Sequence, residues 1–127
     1  ENPVYYVQYA HARICSLIGR LAEEGIAVPP AAAIDPALLC TGEEKALIKS
    51  LSQLPEEIRL AARDYDPSRV NRYLAALAGD FHRFYNACRI KGEPGDILAA
   101  RLKLADSVRS VLANCLKLIG VSAPEKM

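Results

Sequence analysis

No run in this sequence approaches the roughly 20 uninterrupted apolar residues of a membrane span, and its N-terminus has no basic stretch followed by an apolar one. A membrane anchor and a secretory signal are therefore not expected, and the cytoplasm is the expected compartment. The glycines form no nucleotide-binding loop of either common spacing. There is no Cys-x-x-Cys pair and no Cys/His spacing that would assemble zinc ligands locally, so no metal site is expected. Cys15, Cys40, Cys88 and Cys115 are widely separated and read as buried, reduced thiols, with disulfides as the alternative. Sixteen basic residues against fifteen acidic ones leave a net charge of +1, short of the strongly basic balance of many autonomous nucleic-acid binders. That argues against tight nonspecific binding by this chain alone. It leaves room for a module that adds a few well-placed contacts, because local charge matters more than its sum.

Catalytic constellations are equally sparse. The only histidines are His11 and His82, and both read as partly buried, hydrogen-bonded residues. His11 lies four residues before Cys15, on one helix face, but no third group is in sight to orient the pair as a nucleophile and its base. Glu23-Glu24, Glu43-Glu44 and Glu56-Glu57 are adjacent carboxylates, which point in different directions on a helix. Two of the three pairs stand at expected helix starts, where the helix dipole favours them. No catalytic residue is assigned.

What is present is helical periodicity, in a chain of 127 residues that is 51% hydrophobic and large enough for one core. No alternating run long enough for a strand and no fixed-period repeat occurs. An all-α, antiparallel bundle of about five helices, forming one domain over residues 1–127, is expected. Asn2 can cap and Pro3 can open a first helix reaching Glu24 and stopping at Gly25. Val7, Ala10, Ile14, Leu17, Ile18 and Leu21 are its apolar stripe. Val28-Pro29-Pro30 and Asp35-Pro36 mark a loop. Thr41-Gly42-Glu43-Glu44 is a capping box opening a second helix to Gln53 that buries Leu47, Ile48 and Leu51. Pro55 opens a third, with Ile58, Ala61, Ala62 and Tyr65 inward. Asp66-Pro67 opens a fourth, whose series Val70, Tyr73, Leu74, Leu77, Ala78, Phe81, Phe84 and Cys88 is the strongest periodic signal in the chain. Asp96 is the expected cap of a fifth helix, running from Leu98 through Ile119 and ended by Gly120.

Beside the stripe of the first helix lies a crowded flank: Tyr5, Gln8, Tyr9, Arg13, Ser16 and Arg20. A plain core helix has no need of it, and it is suited to face a partner. Arg69, Arg72 and Arg83 are spaced to share a broad face of the fourth helix, with Arg89 and Lys91 at its exit, and phosphate contact is a natural use for some of them. Tyr85 turns about 100° away from the buried Phe84. With Tyr9 it is the best candidate for stacking on an unpaired base.

The opening string Glu1 to Ser16, the strings Asn71-Arg72-Tyr73-Leu74, Phe81 through Arg89 and Ala99-Ala100-Arg101-Leu102, and the ending Gly120 to Met127 resemble, in order and spacing, the C-terminal anticodon-binding domain of arginyl-tRNA synthetases. The tetrapeptide Asp-Ala-Leu-Arg that names the wider DALR group is not present literally. The resemblance implies anticodon recognition within a class I aminoacyl-tRNA synthetase, an arginine-tRNA ligase that uses ATP with magnesium. The class I catalytic signatures are absent from this chain, so neither cofactor is expected here. The implied partners are an arginine tRNA, through its anticodon loop, and the catalytic domain of the same chain; a monomer and no membrane contact are expected. Carried over as anticodon-binding residues are Tyr9, Arg13, Tyr85, Asn86, Arg89 and Met127, with the tail after Gly120 held against the bundle. The alternative from a different class is a noncatalytic helical module whose tyrosine-rich flank binds protein.

Overall fold

The computed structural model describes residues 3–127, so the expected Asn2 cap lies outside the described residues. Among these residues the secondary structure is helical and includes five α-helices: α1 (Pro3–Glu23), α2 (Gly42–Ser52), α3 (Leu54–Arg63), α4 (Ser68–Ala87) and α5 (Gly95–Leu118). Two short 3-10 turns, Ala31–Ala33 and Pro36–Leu38, punctuate the proline-rich loop between α1 and α2. The second has the side chain of Asp35 accepting from the Ala37 N–H at 3.0 Å.

Only Gln53 separates α2 from α3. Pro55 has no N–H to continue the ladder, so the chain bends there and resumes. Together α2 and α3 run back along α4: Thr41 Oγ1 is 3.4 Å from Cys88 Sγ, Tyr73 Oη donates to the Ser50 carbonyl at 2.8 Å, and Arg69 Nε donates to Glu57 at 2.8 Å. Successive rods therefore alternate in direction, and α4 touches every other helix. One consequence matters for function. α1 and α4 pack side by side and point the same way, since α1's start lies beside Asn71 and Leu74 and its later turns lie beside Cys88 and Arg89.

The core is formed where the expected stripes meet. Ile14, Leu21, Leu47, Leu77, Phe81, Phe84, Leu102, Leu112 and Leu116 are fully buried. Each such side chain stabilises the fold by about 1.5–3 kcal/mol relative to exposure. The capping box forms as expected, with the Glu44 N–H donating to Thr41 Oγ1 at 3.1 Å and the Thr41 N–H to Glu44 Oε1 at 3.0 Å. Glu44 does more than cap. It is fully buried, and its second oxygen accepts from Arg101 Nε of α5 at 2.7 Å, while Arg101 Nη1 donates to the Arg89 carbonyl at 2.6 Å. Burial pushes the Glu44 carboxyl up, but the Thr41 and Arg101 hydrogen bonds outweigh it and hold the group below its ordinary value.

Several positions depart from the periodic expectation. Ile48 is exposed: α2 meets α4 through its Leu47 and Ser50 side, and Ile48 lies about 160° around the helix from Ser50. Tyr65, expected inward, is 93% exposed. α3 ends at Arg63, and Tyr65 takes a left-handed conformation (φ 51°) in which its N–H reaches the Ala62 carbonyl while Asp66 N–H reaches Ala61. This closure throws the ring out of helical phase. Glycine serves the same end after α1, at Gly25 (φ 82°). Cys40 is exposed in the loop, whereas Cys88 and Cys115 are buried and Cys15 is half-buried; all four are free thiols. α5 begins one residue before the expected cap, and Asp96 lies inside its first turn, where it accepts from the Ile97 N–H at 2.8 Å and does not serve as the cap.

Candidate nucleic-acid interface

Two helices running in one direction present their side chains as matched rungs. On α1, Tyr6, Tyr9, Arg13 and Arg20 recur every three to seven residues on one flank; on α4, His82 and Tyr85 recur at one turn, with Arg89 just past the helix end. The first rung joins Tyr6 and Tyr9 to His82, with ring centroids 5.3 Å and 6.0 Å apart, the Tyr9 pair stacked at 27°. In the second, the Arg13 guanidinium lies over the Tyr85 ring, 4.5 Å from its centroid. Beyond these the helices part. Arg20, Leu17, Cys88, Arg89 and Lys91 line a depression of about 290 Å3 whose inner edge is Tyr85.

Of the residues expected to act together, Tyr9, Arg13 and Tyr85 are brought into one cluster. Tyr9 is 44% exposed and offers a ring face. Tyr85 is half-buried and is no bare platform: it stacks on Phe81, one turn earlier, at 5.7 Å and 26°, and Arg13 covers it. The flat surface presented at this rung is therefore the guanidinium of Arg13. Asn86 is exposed on the last turn of α4. Arg89 is exposed and reaches Glu93 at 3.6 Å.

Met127 is not placed with this cluster. The tail is held on α1, as expected, by Gln8 Nε2 donating to the Ser122 carbonyl at 2.9 Å and by His11 Nδ1 meeting the Pro124 carbonyl at 2.9 Å. At about 100° per residue, His11 projects roughly 160° around the helix from Tyr9. The tether thus lies on the opposite flank of α1, and Met127 is exposed at its end.

The cluster's charge is distinctive. Arg69 pairs with Glu57, Arg72 with Asp66, Arg83 with Asp80 and Lys91 with Glu24. With Arg89 beside Glu93, all five of the basic residues expected to meet phosphate are thus engaged by carboxylates. Among the described residues no carboxylate lies in ion-pair reach of Arg13; its Nη1 meets the neutral acceptor His82 Nδ1 at 3.3 Å. His82 is partly buried and hydrogen-bonded, as its sequence reading expects, but its place in this cluster is not part of that expectation. Its spacing of three before Tyr85 was the available signal. The other histidine, His11, has Cys15 Sγ at 3.8 Å, but burial pushes that thiol up despite Arg109, so no activated thiolate results. Among the described residues no group of three His, Cys, Asp or Glu side chains could hold a metal ion, and no helix is long and apolar enough to cross a membrane.

Known proteins match this chain in sequence and in fold over nearly its whole length. The arginine-tRNA ligase of Ruminiclostridium cellulolyticum is 52% identical over all 127 residues, which cover 22% of its length. That of Acetivibrio thermocellus is 50% identical with the same coverage. The chain thus spans about a fifth of the length of these relatives. Among solved structures, arginyl-tRNA synthetase from Thermus thermophilus superposes with a TM-score of 0.83 at 32% identity, over 96% of this chain and 21% of that one. The putative arginyl-tRNA synthetase from Campylobacter jejuni gives 0.84 at 29% identity, over 99% and 27%. The sequence pattern of the DALR anticodon binding domain matches residues 7–127, and the chain belongs to that family.

Proposed function

We propose that this chain reads the anticodon loop of an arginine tRNA as the C-terminal domain of an arginine-tRNA ligase. The observation that carries this reading is the Arg13 guanidinium, uncompensated by any carboxylate among the described residues and centred 4.5 Å from the Tyr85 ring centroid, beside the exposed ring of Tyr9. A base from an unstacked loop needs a flat partner, and the strand that carries it brings negative phosphates. A planar cation next to an aromatic face answers both needs. In this reading Tyr9 and Arg13 receive bases, Tyr85 backs Arg13, and the Asn86 amide meets a base edge. Arg89, with Arg20 beside it, meets phosphate, and Met127 contributes its flexible thioether from the tail. Activation of arginine with ATP and magnesium falls to the rest of the ligase, whose catalytic domain is the second partner, and a monomer suffices. A protein-binding flank would use the same tyrosines. The unpaired charge of Arg13 favours a polyanion.

The test is a titration of the chain with arginine tRNA and with a noncognate tRNA at two salt concentrations. Cognate binding that is tighter, and that weakens as salt rises, is the expected result. Equal affinity for both tRNAs would remove anticodon reading, and no salt dependence would favour a protein partner.

A further inference from the structure

His82 sits where the two rungs meet. Its ring lies against Tyr6 and Tyr9 of α1, and its Nδ1 is 3.3 Å from Arg13 Nη1. A guanidinium can only donate, so Nδ1 must be an unprotonated acceptor, and the ring's single proton sits on Nε2. That Nε2 is buried with no hydrogen-bond partner among the described residues. Burial, and then the charge of Arg13, push the imidazole below its ordinary value, in keeping with a neutral ring.

A buried, unsatisfied N–H is a cost to stability that a phenylalanine of similar shape would not carry. What the imidazole offers in return is one acceptor aimed at Arg13. We infer that His82 is a positioning residue for anticodon recognition: its neutral Nδ1 pins the Arg13 guanidinium over Tyr85 while its ring supports Tyr9, so that a base meets an assembled surface. This rests on the anticodon-binding reading above. The expected behaviour is a separation of stability from recognition, which packing alone would not produce.

The experiment uses the full-length ligase carrying this domain, with His82→Phe, His82→Asn, Arg13→Ala and the double variant Arg13→Ala/His82→Phe. Loss of a charge-assisted hydrogen bond corresponds to about a tenfold rise in KM for tRNA in His82→Phe. KM for arginine and ATP should stay put, and the unfolding temperature should hold or rise. His82→Asn, whose amide oxygen can take the place of Nδ1, should recover part of the loss. The double variant should be no worse than Arg13→Ala, because His82 acts through Arg13. A wild-type KM for tRNA in His82→Phe, a further loss in the double variant, or a lowered unfolding temperature in His82→Phe would each overturn the inference. Failure of the underlying reading looks different: Arg13→Ala itself would then leave KM for tRNA unchanged.

Discussion

Arg101 and Arg13 both reach from one helix to another, and their surroundings separate a structural arginine from one free to bind. Arg101 is only 14% exposed and faces the fully buried Glu44; between them the capping box of α2, the start of α5 and the exit of α4 are tied together. Its charge is neutralised inside the fold. Arg13 meets an imidazole and an aromatic face, neither of which cancels charge. The same residue type is therefore internal bonding in one place and an unspent cation in the other.

The largest expected effect breaks the first side of this comparison. Glu44→Ala removes a cap and leaves the Arg101 guanidinium only the longer pairing with Glu93, at 3.9 Å, and should lower unfolding free energy by about 3 kcal/mol in urea titrations. A loss below about 1 kcal/mol would mean that water already reaches Arg101. The same pair sets a pH dependence. Because the folded Glu44 titrates below its ordinary value of 4.5, its contribution is fully present above that value and is lost as pH falls through the lower, folded one. A urea series from pH 6 down to pH 3 should show a shallower fall in Glu44→Gln than in the wild type.

On the second side, Tyr85→Ala in the full-length ligase removes the ring beneath Arg13. Loss of that support should cost about 1–3 kcal/mol in kcat/KM for tRNA, with little change for arginine or ATP. Tyr85→Phe keeps the ring and should stay near wild type. A folded Tyr85→Ala enzyme with unaltered tRNA kinetics would reassign Tyr85 to packing on Phe81.

The smallest expected effect sharpens the comparison at the tail. Deleting residues 124–127 removes the carbonyl that meets His11, so stability should fall by about 1 kcal/mol, read by thermal unfolding. If Met127 takes part in recognition despite its tether on the far flank of α1, tRNA charging falls well beyond what that loss explains. Unchanged charging would confine the tail to covering α1.

Much of the fold was legible because the stripes of α1, α4 and α5 are long and keep phase; Ile14, Phe81, Phe84 and Leu112 are buried as their spacing implies. Tyr65 was misplaced because periodicity carries no information about where a left-handed closing residue ends it. Ile48 was misplaced because a short helix can satisfy its packing with one narrow edge. In the candidate site, Tyr9, Arg13 and Tyr85 could be chosen from residue chemistry and family resemblance. Arg69, Arg72 and Arg83 looked equally suited to phosphate, since a sequence counts cations without showing which carboxylates answer them.

Local order, then, belongs to the sequence: the Thr41–Glu44 capping box, the break at Pro55 and the amphipathic stripes depend on neighbours within a few residues, which any stretch of chain reveals. The pairing of α1 with α4 in a shared direction belongs to the tertiary structure, because it brings residues 69 apart in sequence, Arg13 and His82, within 3.3 Å. So does the fate of each charge. Whether an arginine is neutralised or left free depends on which side chains arrive beside it and how much water they exclude, and those arrivals are decided only when the helices pack.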